Sequence, residues 1–207
     1  MKSSSEAKTH PASRRALIVF GAWGALLVAS AGWIAGEAWH KNADLEPIGI
    51  GGPFSLIDQD GRRFTDAALK GKPTLLYFGY TYCPDICPTS LLLMETAVES
   101  LGKNAPNEVN IVFITIDPER DTPALLKNFV SNFGPKIVGA TGTPDQIASV
   151  ARAYKVYYQK VPSRDDAPYL MDHSSVIYLL DRDGRSVGLF THDSSAEEIS
   201  EQLRRLL

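Results

Sequence analysis

Residues 74–90 read TLLYFGYTYCPDICPTS, and they fall into two parts with different physics. Thr74 to Tyr80 is a short, continuous apolar run, the signature of a strand buried on both faces. Cys83 and Cys87 follow just past its C-terminal end, where open α/β sheets place their sites. Each cysteine precedes a proline, Pro84 and Pro88. Proline removes a backbone donor and pushes the preceding residue toward extended backbone, so no regular helix passes through both cysteines. The segment therefore reads as a loop with Cys87 at or near the N-cap of a helix. The positive end of that helix favours thiolate over thiol.

Outward from this junction, Leu91 to Leu101 has helical character and Asn110 to Ile116 (NIVFITI) is a second β-rich run. Thr122-Pro123 and Thr143-Pro144 each pair an N-cap with proline at the first helical position. Gln146 completes a capping box with Thr143, as Glu198 does with Ser195. Two hairpins are signalled. Phe54 to Ile57 and Arg63 to Thr65 flank Asp60-Gly61, and Ser174 to Leu180 and Arg185 to Phe190 flank Asp181-Arg182-Asp183-Gly184. The predicted order is β-hairpin, β, α, β, α, α, β, β, α. That is an α/β chain of thioredoxin-like layout, a central mixed sheet flanked by helices, with an N-terminal β-hairpin extension over residues 53–207. The sequence holds no internal repeat and no low-complexity tract.

The N-terminus has a different character. Residues 1–15 form a polar arm with Lys2, Lys8, Arg14 and Arg15, after which Ala16 to Gly36 runs without a charge. As a helix this run reaches roughly 30 Å, the thickness of a bilayer's hydrocarbon core, and Trp33 and Trp39 near its exit suit an interface. The reading is a single transmembrane anchor over 16–36, its arm cytoplasmic and the domain on the exported, periplasmic side. Ala29-Ser30-Ala31 also resembles a signal-peptidase site, and Ser13-Arg14-Arg15 is a poor twin-arginine match; all three readings export the domain. Residues 37–52 are polar, then Gly-rich, and read as a linker. The first 15 residues carry +3, Glu37 takes one away, and the total of −3 leaves −5 over residues 40–207. An acidic domain without a basic run is a poor nucleic-acid binder.

Cys83 and Cys87 are the two cysteines of the chain. A disulfide that merely staples an exported domain is the plain reading of such a pair. Yet so short a loop stabilises little, and the strand-to-helix junction is where a thioredoxin-like layout keeps working cysteines. Two ligands do not complete a metal site, so a third has to come from elsewhere. His10 lies in the arm, His40 at the membrane exit, and His192 after a hairpin strand, where a solvated histidine is expected. His173 opens the strand Ser174 to Leu180, whose start approaches the cysteine loop in this layout. It is the candidate third ligand.

Three motifs, FGYTYCPDICPTS (78–90), ITIDPERDTP (114–123) and YLMDHSSVIYLLDRDG (169–184), together resemble the Sco/SenC family over residues 53–207. The resemblance implies a membrane-tethered, thioredoxin-like metallochaperone, not an enzyme, that helps metallate the binuclear copper centre of cytochrome c oxidase. It implies copper, one per chain, held by Cys83, Cys87 and His173, with Cys83 and Cys87 able to form a reversible disulfide. Asp85, inside the cysteine loop, matches an acidic position of the family, and Asp85 and Asp172 are candidates for contacts to the ligands. Tyr82 stands where relatives often have histidine. Implied partners are the copper-centre subunit of the oxidase, a copper donor and a thiol–disulfide reductase.

Ligand chemistry agrees with copper: soft thiolates select Cu(I), and an imidazole lets the site hold Cu(II) as well, although zinc accepts the same ligands. The competing reading is a thiol–disulfide oxidoreductase that keeps the oxidase's copper-ligating cysteines reduced. Three intervening residues, where thioredoxin-type motifs have two, tilt against it, and His173 has no task in dithiol exchange. A peroxidase of related fold would explain the cysteines but neither their spacing nor His173.

Overall fold

The computed structural model describes residues 45–134, 136–162 and 168–207. The arm and span expected over 1–36, and the first part of the linker, lie outside the described residues, as do His10 and His40. Among the described residues no helix is long and apolar enough to cross a membrane.

Strands β1 (Ser55–Asp58) and β2 (Arg63–Thr65) form the first expected hairpin, with Leu56 opposite Phe64. Gly61 turns the chain with φ +76°, a left-handed backbone that costs glycine little. A 3₁₀ turn at Asp66–Leu69 leads to β3 (Thr74–Gly79), then α1 (Ile86–Glu99) and a single turn α2 (Ala105–Glu108). Next come β4 (Asn110–Thr115), α3 (Pro123–Val130), β5 (Ile137–Thr141) and α4 (Pro144–Ala153). The chain continues through β6 (Tyr158–Val161), β7 (Leu170–His173), β8 (Val176–Leu180), β9 (Ser186–Thr191) and α5 (Ala196–Arg204).

Seven strands make one mixed sheet in the order β2-β1-β5-β4-β3-β8-β9, and β6-β7 stand apart as a two-stranded hairpin. All six residues of β3 are buried. It runs parallel to β4 and antiparallel to β8, so both of its edges are paired and both of its faces covered. Helix α1 packs on β3 and on α5, α3 lies against β5, and α4 against β1. The three caps form as the residue types require. Thr122 accepts from the Leu125 N–H and Thr143 and Gln146 complete a reciprocal box; Ser195 accepts from the Glu198 N–H, but the Glu198 side chain does not return to the Ser195 N–H, so the second expected box is only half made.

Helix α1 starts at Ile86, with Cys87 near its N-cap as expected; Pro88 falls in the first turn, where its missing N–H has no intrahelical partner to lose. Two elements depart from the expected order. β5 stands between two helices that were expected to be consecutive. Its Gly139 and Ala140 are weak strand formers, and a Cβ on Gly139 would come within 3.2–3.3 Å of Val130 and Leu126 on the overlying α3. The β6-β7 hairpin has mostly exposed side chains, so no apolar alternation announces it. His173 accordingly closes β7 and does not open β8. Part of the expected linker is tied down: the Ile48 N–H donates to the Ser186 carbonyl at 2.8 Å and the Gly51 N–H to the Ala153 carbonyl at 2.9 Å.

Candidate metal centre

The strand β3 delivers the chain to Gly79, and Tyr80 to Asp85 form the loop into α1. Asp85 occupies the N-cap, but its side chain caps nothing. A sulfur does the work instead: the Cys87 N–H donates to Cys83 Sγ at 3.3 Å. Cys83 is half-buried and Cys87 fully buried. The Tyr77 hydroxyl, from the middle of β3, donates to Cys87 Sγ at 3.9 Å.

His173 arrives from the other side at the end of β7, paired in register with Tyr158. Its ring stands edge-on to Tyr77 and Tyr80, with centroids 6.3 and 5.9 Å away. Nδ1 lies 3.1 Å from the Ser174 carbonyl, which can only accept, so the proton belongs on Nδ1. That leaves the Nε2 lone pair facing Cys87 Sγ at 3.6 Å.

The ligand atoms of Cys83, Cys87 and His173 all lie within 4.8 Å of one another, the one such cluster among the described residues. Metal–sulfur and metal–nitrogen bonds of about 2.3 and 2.0 Å, meeting at trigonal to tetrahedral angles, put sulfur and nitrogen about 3.5–3.7 Å apart. The observed 3.6 Å between Cys87 Sγ and His173 Nε2 fits that span. Two soft sulfurs and one imidazole suit copper, with a coordination position left for an incoming ligand.

The two cysteines are electrostatically unlike. Cys83 is pulled down to about 4, chiefly by the hydrogen bond from Cys87, with further help from the backbone N–H groups of Asp85 and Cys87. Cys87 is pushed up by that same hydrogen bond, by burial and by the charge on Cys83. The helix end was expected to favour a thiolate at Cys87, but Cys87 is pushed up, and the first-turn N–H of Cys87 donates to Cys83 instead. At neutral pH Cys83 is the thiolate and Cys87 the thiol. Iodoacetamide should therefore modify Cys83 first. Its rate should stay nearly flat from about pH 8 down to about pH 5, because the thiolate fraction stays high until the pH nears 4. An ordinary cysteine slows about tenfold per unit over that range. Mass mapping of the alkylated peptide checks both points, and a tenfold-per-unit fall on Cys83 would contradict the assignment.

Sequence reasoning singled out ITIDPERDTP without giving its residues a task. The turn after β4 braces the site. Asp121 is fully buried and accepts from the Thr81 N–H, the Thr81 hydroxyl and the Thr115 hydroxyl at 3.0, 2.6 and 2.6 Å. Asp117, also buried, pairs with Arg120 and accepts from the Tyr169 hydroxyl at 2.7 Å. A cluster of two acids and an arginine directly after a buried strand was the available signal. Asp85 and Asp172 are both exposed and stand outside the Cys83–Cys87–His173 cluster. His192 is exposed beside Asp193, 3.4 Å away.

Among known families, residues 42–207 match the model described as SCO1/SenC. A SCO2-like protein of Rickettsia felis is 49% identical over 168 residues, 81% of this chain and 82% of the relative. The structure of Bradyrhizobium japonicum ScoI with copper bound aligns with a TM-score of 0.70 and 52% identity, covering 76% of this chain and 99% of that one. Arabidopsis thaliana ScoI, also solved with copper bound, aligns with a TM-score of 0.71 and 43% identity over 75% of this chain and 97% of that one.

Proposed function

The chain belongs to the SCO1/SenC family, and from that premise we propose that it is a copper metallochaperone serving the binuclear copper centre of cytochrome c oxidase. The observation that carries the proposal is the convergence of Cys83 Sγ, Cys87 Sγ and His173 Nε2 within 4.8 Å. Copper bound in two relatives supports the choice of metal.

In this reading copper is cargo. Cys83 meets it as a thiolate, Cys87 gives up its proton to become the second, and His173 offers a lone pair already oriented by the Ser174 carbonyl. Cys87 is sealed from solvent while Cys83 is half-open, so a partner's ligands exchange in at the Cys83 side and the buried sulfur lets go last. The acceptor is the copper-centre subunit of the oxidase, and a separate donor loads the site. A membrane anchor at residues 16–36 with the domain outside would keep the chain beside its target.

The split between the cysteines favours one second reading. A thiolate at Cys83 beside a thiol at Cys87 is the pair a disulfide reductase needs. Cys83 Sγ would attack a target disulfide, releasing one target thiolate and forming a mixed disulfide. Cys87, losing its proton, would then attack Cys83 Sγ and release the second, leaving a Cys83–Cys87 disulfide for an external dithiol reductase to reduce. His173 separates the readings, since imidazole is a copper ligand but is dispensable for exchange between sulfurs. Cells carrying His173→Ala should make an oxidase deficient in its binuclear copper at limiting copper, with a normal dithiol state on this protein. Added copper should restore part of the activity by mass action. Full oxidase activity of His173→Ala at limiting copper would reject delivery and leave the reductase.

A further inference from the structure

We propose that Arg120 is a positioning residue that holds His173 at metal-binding distance from the two cysteines by clasping both ligand-bearing segments at once. This rests on the copper-binding reading of the site. The need for a clasp follows from topology. Cys83 and Cys87 ride on the end of β3 and the start of α1, within the main sheet layer. His173 rides on the β6-β7 hairpin, which makes no ladder with the seven-stranded sheet. Sheet hydrogen bonds set the hairpin's own register, Tyr158 against His173, and reach the cysteine strand through β8, which begins after Ser174 and Ser175 and pairs with β3; the β6-β7 ladder itself adds no tie to the cysteine loop.

Arg120 spans that gap. Its Nη1 donates to the Tyr169 carbonyl, one residue before β7, at 2.8 Å. Its guanidinium carbon lies 3.7 Å from the centroid of the Tyr169 ring on the hairpin side. On the cysteine-loop side it lies 4.7 Å from the centroid of Tyr82 and 5.8 Å from that of Tyr80. Nε pairs with Asp117, whose other oxygen accepts from the Tyr169 hydroxyl, so arginine, acid and tyrosine close a ring. Tyr80 then stands edge-on to His173. Through Tyr80 and Tyr169 one guanidinium contacts the ring beside the histidine and the backbone leading to it. A second tie, Lys160 on the Tyr169 ring and on Glu119, is more exposed and joins the hairpin to the turn after β4. Lysine could not replace Arg120: the role needs a flat cation that stacks between aromatic faces while donating in fixed directions.

The test uses the full-length protein and copper. Arg120→Lys should weaken copper retention against a competing chelator about tenfold or more, the range for residues that orient metal ligands. The same substitution in a His173→Ala background should cost nothing further, and the nitrogen coupling in the Cu(II) resonance spectrum should be lost. In the metal-free protein, the His173 ring protons should move as the ring-current shifts from Tyr77 and Tyr80 collapse. Copper retention within twofold of native, with unmoved His173 resonances, would overturn the proposal even if the melting temperature falls. Should Arg120→Lys fail to fold, Tyr82→Leu decides by the same readouts. Tyr82 is exposed, so the change removes one stacking face with little effect on the core, and unmoved resonances with native retention overturn the clasp. If the native protein takes no copper while the His173 resonances still follow Arg120→Lys, the copper reading fails and the clasp stands.

Discussion

Cys87→Ala should leave a folded protein whose hold on copper is weaker by roughly a hundredfold or more. Four-ligand structural zinc sites bind with apparent energies of about 10–16 kcal/mol, so one ligand of such a set is worth about 3 kcal/mol. The cost to the fold is smaller. Removing one fully buried sulfur gives up apolar burial comparable to a methylene, about 1 kcal/mol, a few degrees of melting temperature in a domain of this size. Cys83→Ala should lose copper to a similar extent. A pH titration adds a second signature. Cys83 is ionised down to about 4 while Cys87 stays protonated at neutral pH, so binding must expel the Cys87 proton. Apparent affinity should therefore climb about tenfold per pH unit between about pH 5 and about pH 8; the slope should persist in Cys87→Ala, because without the hydrogen bond from Cys87 the Cys83 thiol moves back up and gives up a proton on binding in its place. Competition against a copper chelator across this range measures both. Native-like retention by Cys87→Ala would remove the buried sulfur from the ligand set.

The second large effect is expected at Gly79, which has no cysteine or histidine chemistry of its own. It is the last residue of β3, and a Cβ there would come 2.8 Å from Cys87 Sγ, 2.8 Å from Phe113 and 3.0 Å from Tyr77. These three neighbours are fully buried, so none can swing aside into solvent. Gly79 is required by space, not by its backbone angles. Gly79→Ala should destabilise the domain by about 1–3 kcal/mol, as overpacking of a dense core does, lowering the melting temperature by roughly 5–10 °C. It should also weaken copper retention, because the displaced atom is the buried ligand itself. Thermal unfolding followed by circular dichroism, alongside chelator competition, checks the pair of effects. An unchanged melting temperature would mean that the cysteine loop yields freely, contrary to the packing.

Much of this protein was legible in its residues because it is local. An unbroken apolar run from Thr74 to Tyr80 makes a strand buried on both faces. Prolines after Cys83 and Cys87 place a loop and a helix start, and Thr122, Thr143 and Ser195 announce three helices by the caps that form. His173 could be joined to the cysteines from the layout and from the family resemblance, and the fold brings it there. Other features have no local trace. β5 is spelled with glycine and alanine because α3 presses on it, and β6-β7 is a strand pair only by virtue of its partner. Which cysteine carries the charge depended first on the hydrogen bond between the two side chains and on the deeper burial of Cys87. Asp121 meets Thr81 from 40 positions away, and His173 meets Cys87 from 86. The roles of Asp117, Arg120, Asp121 and Tyr169 were likewise decided by tertiary structure alone. A hydrogen bond, a stacked cation or a shifted thiol takes its energy from burial and ångström-scale distance, and those exist only once distant segments have packed together.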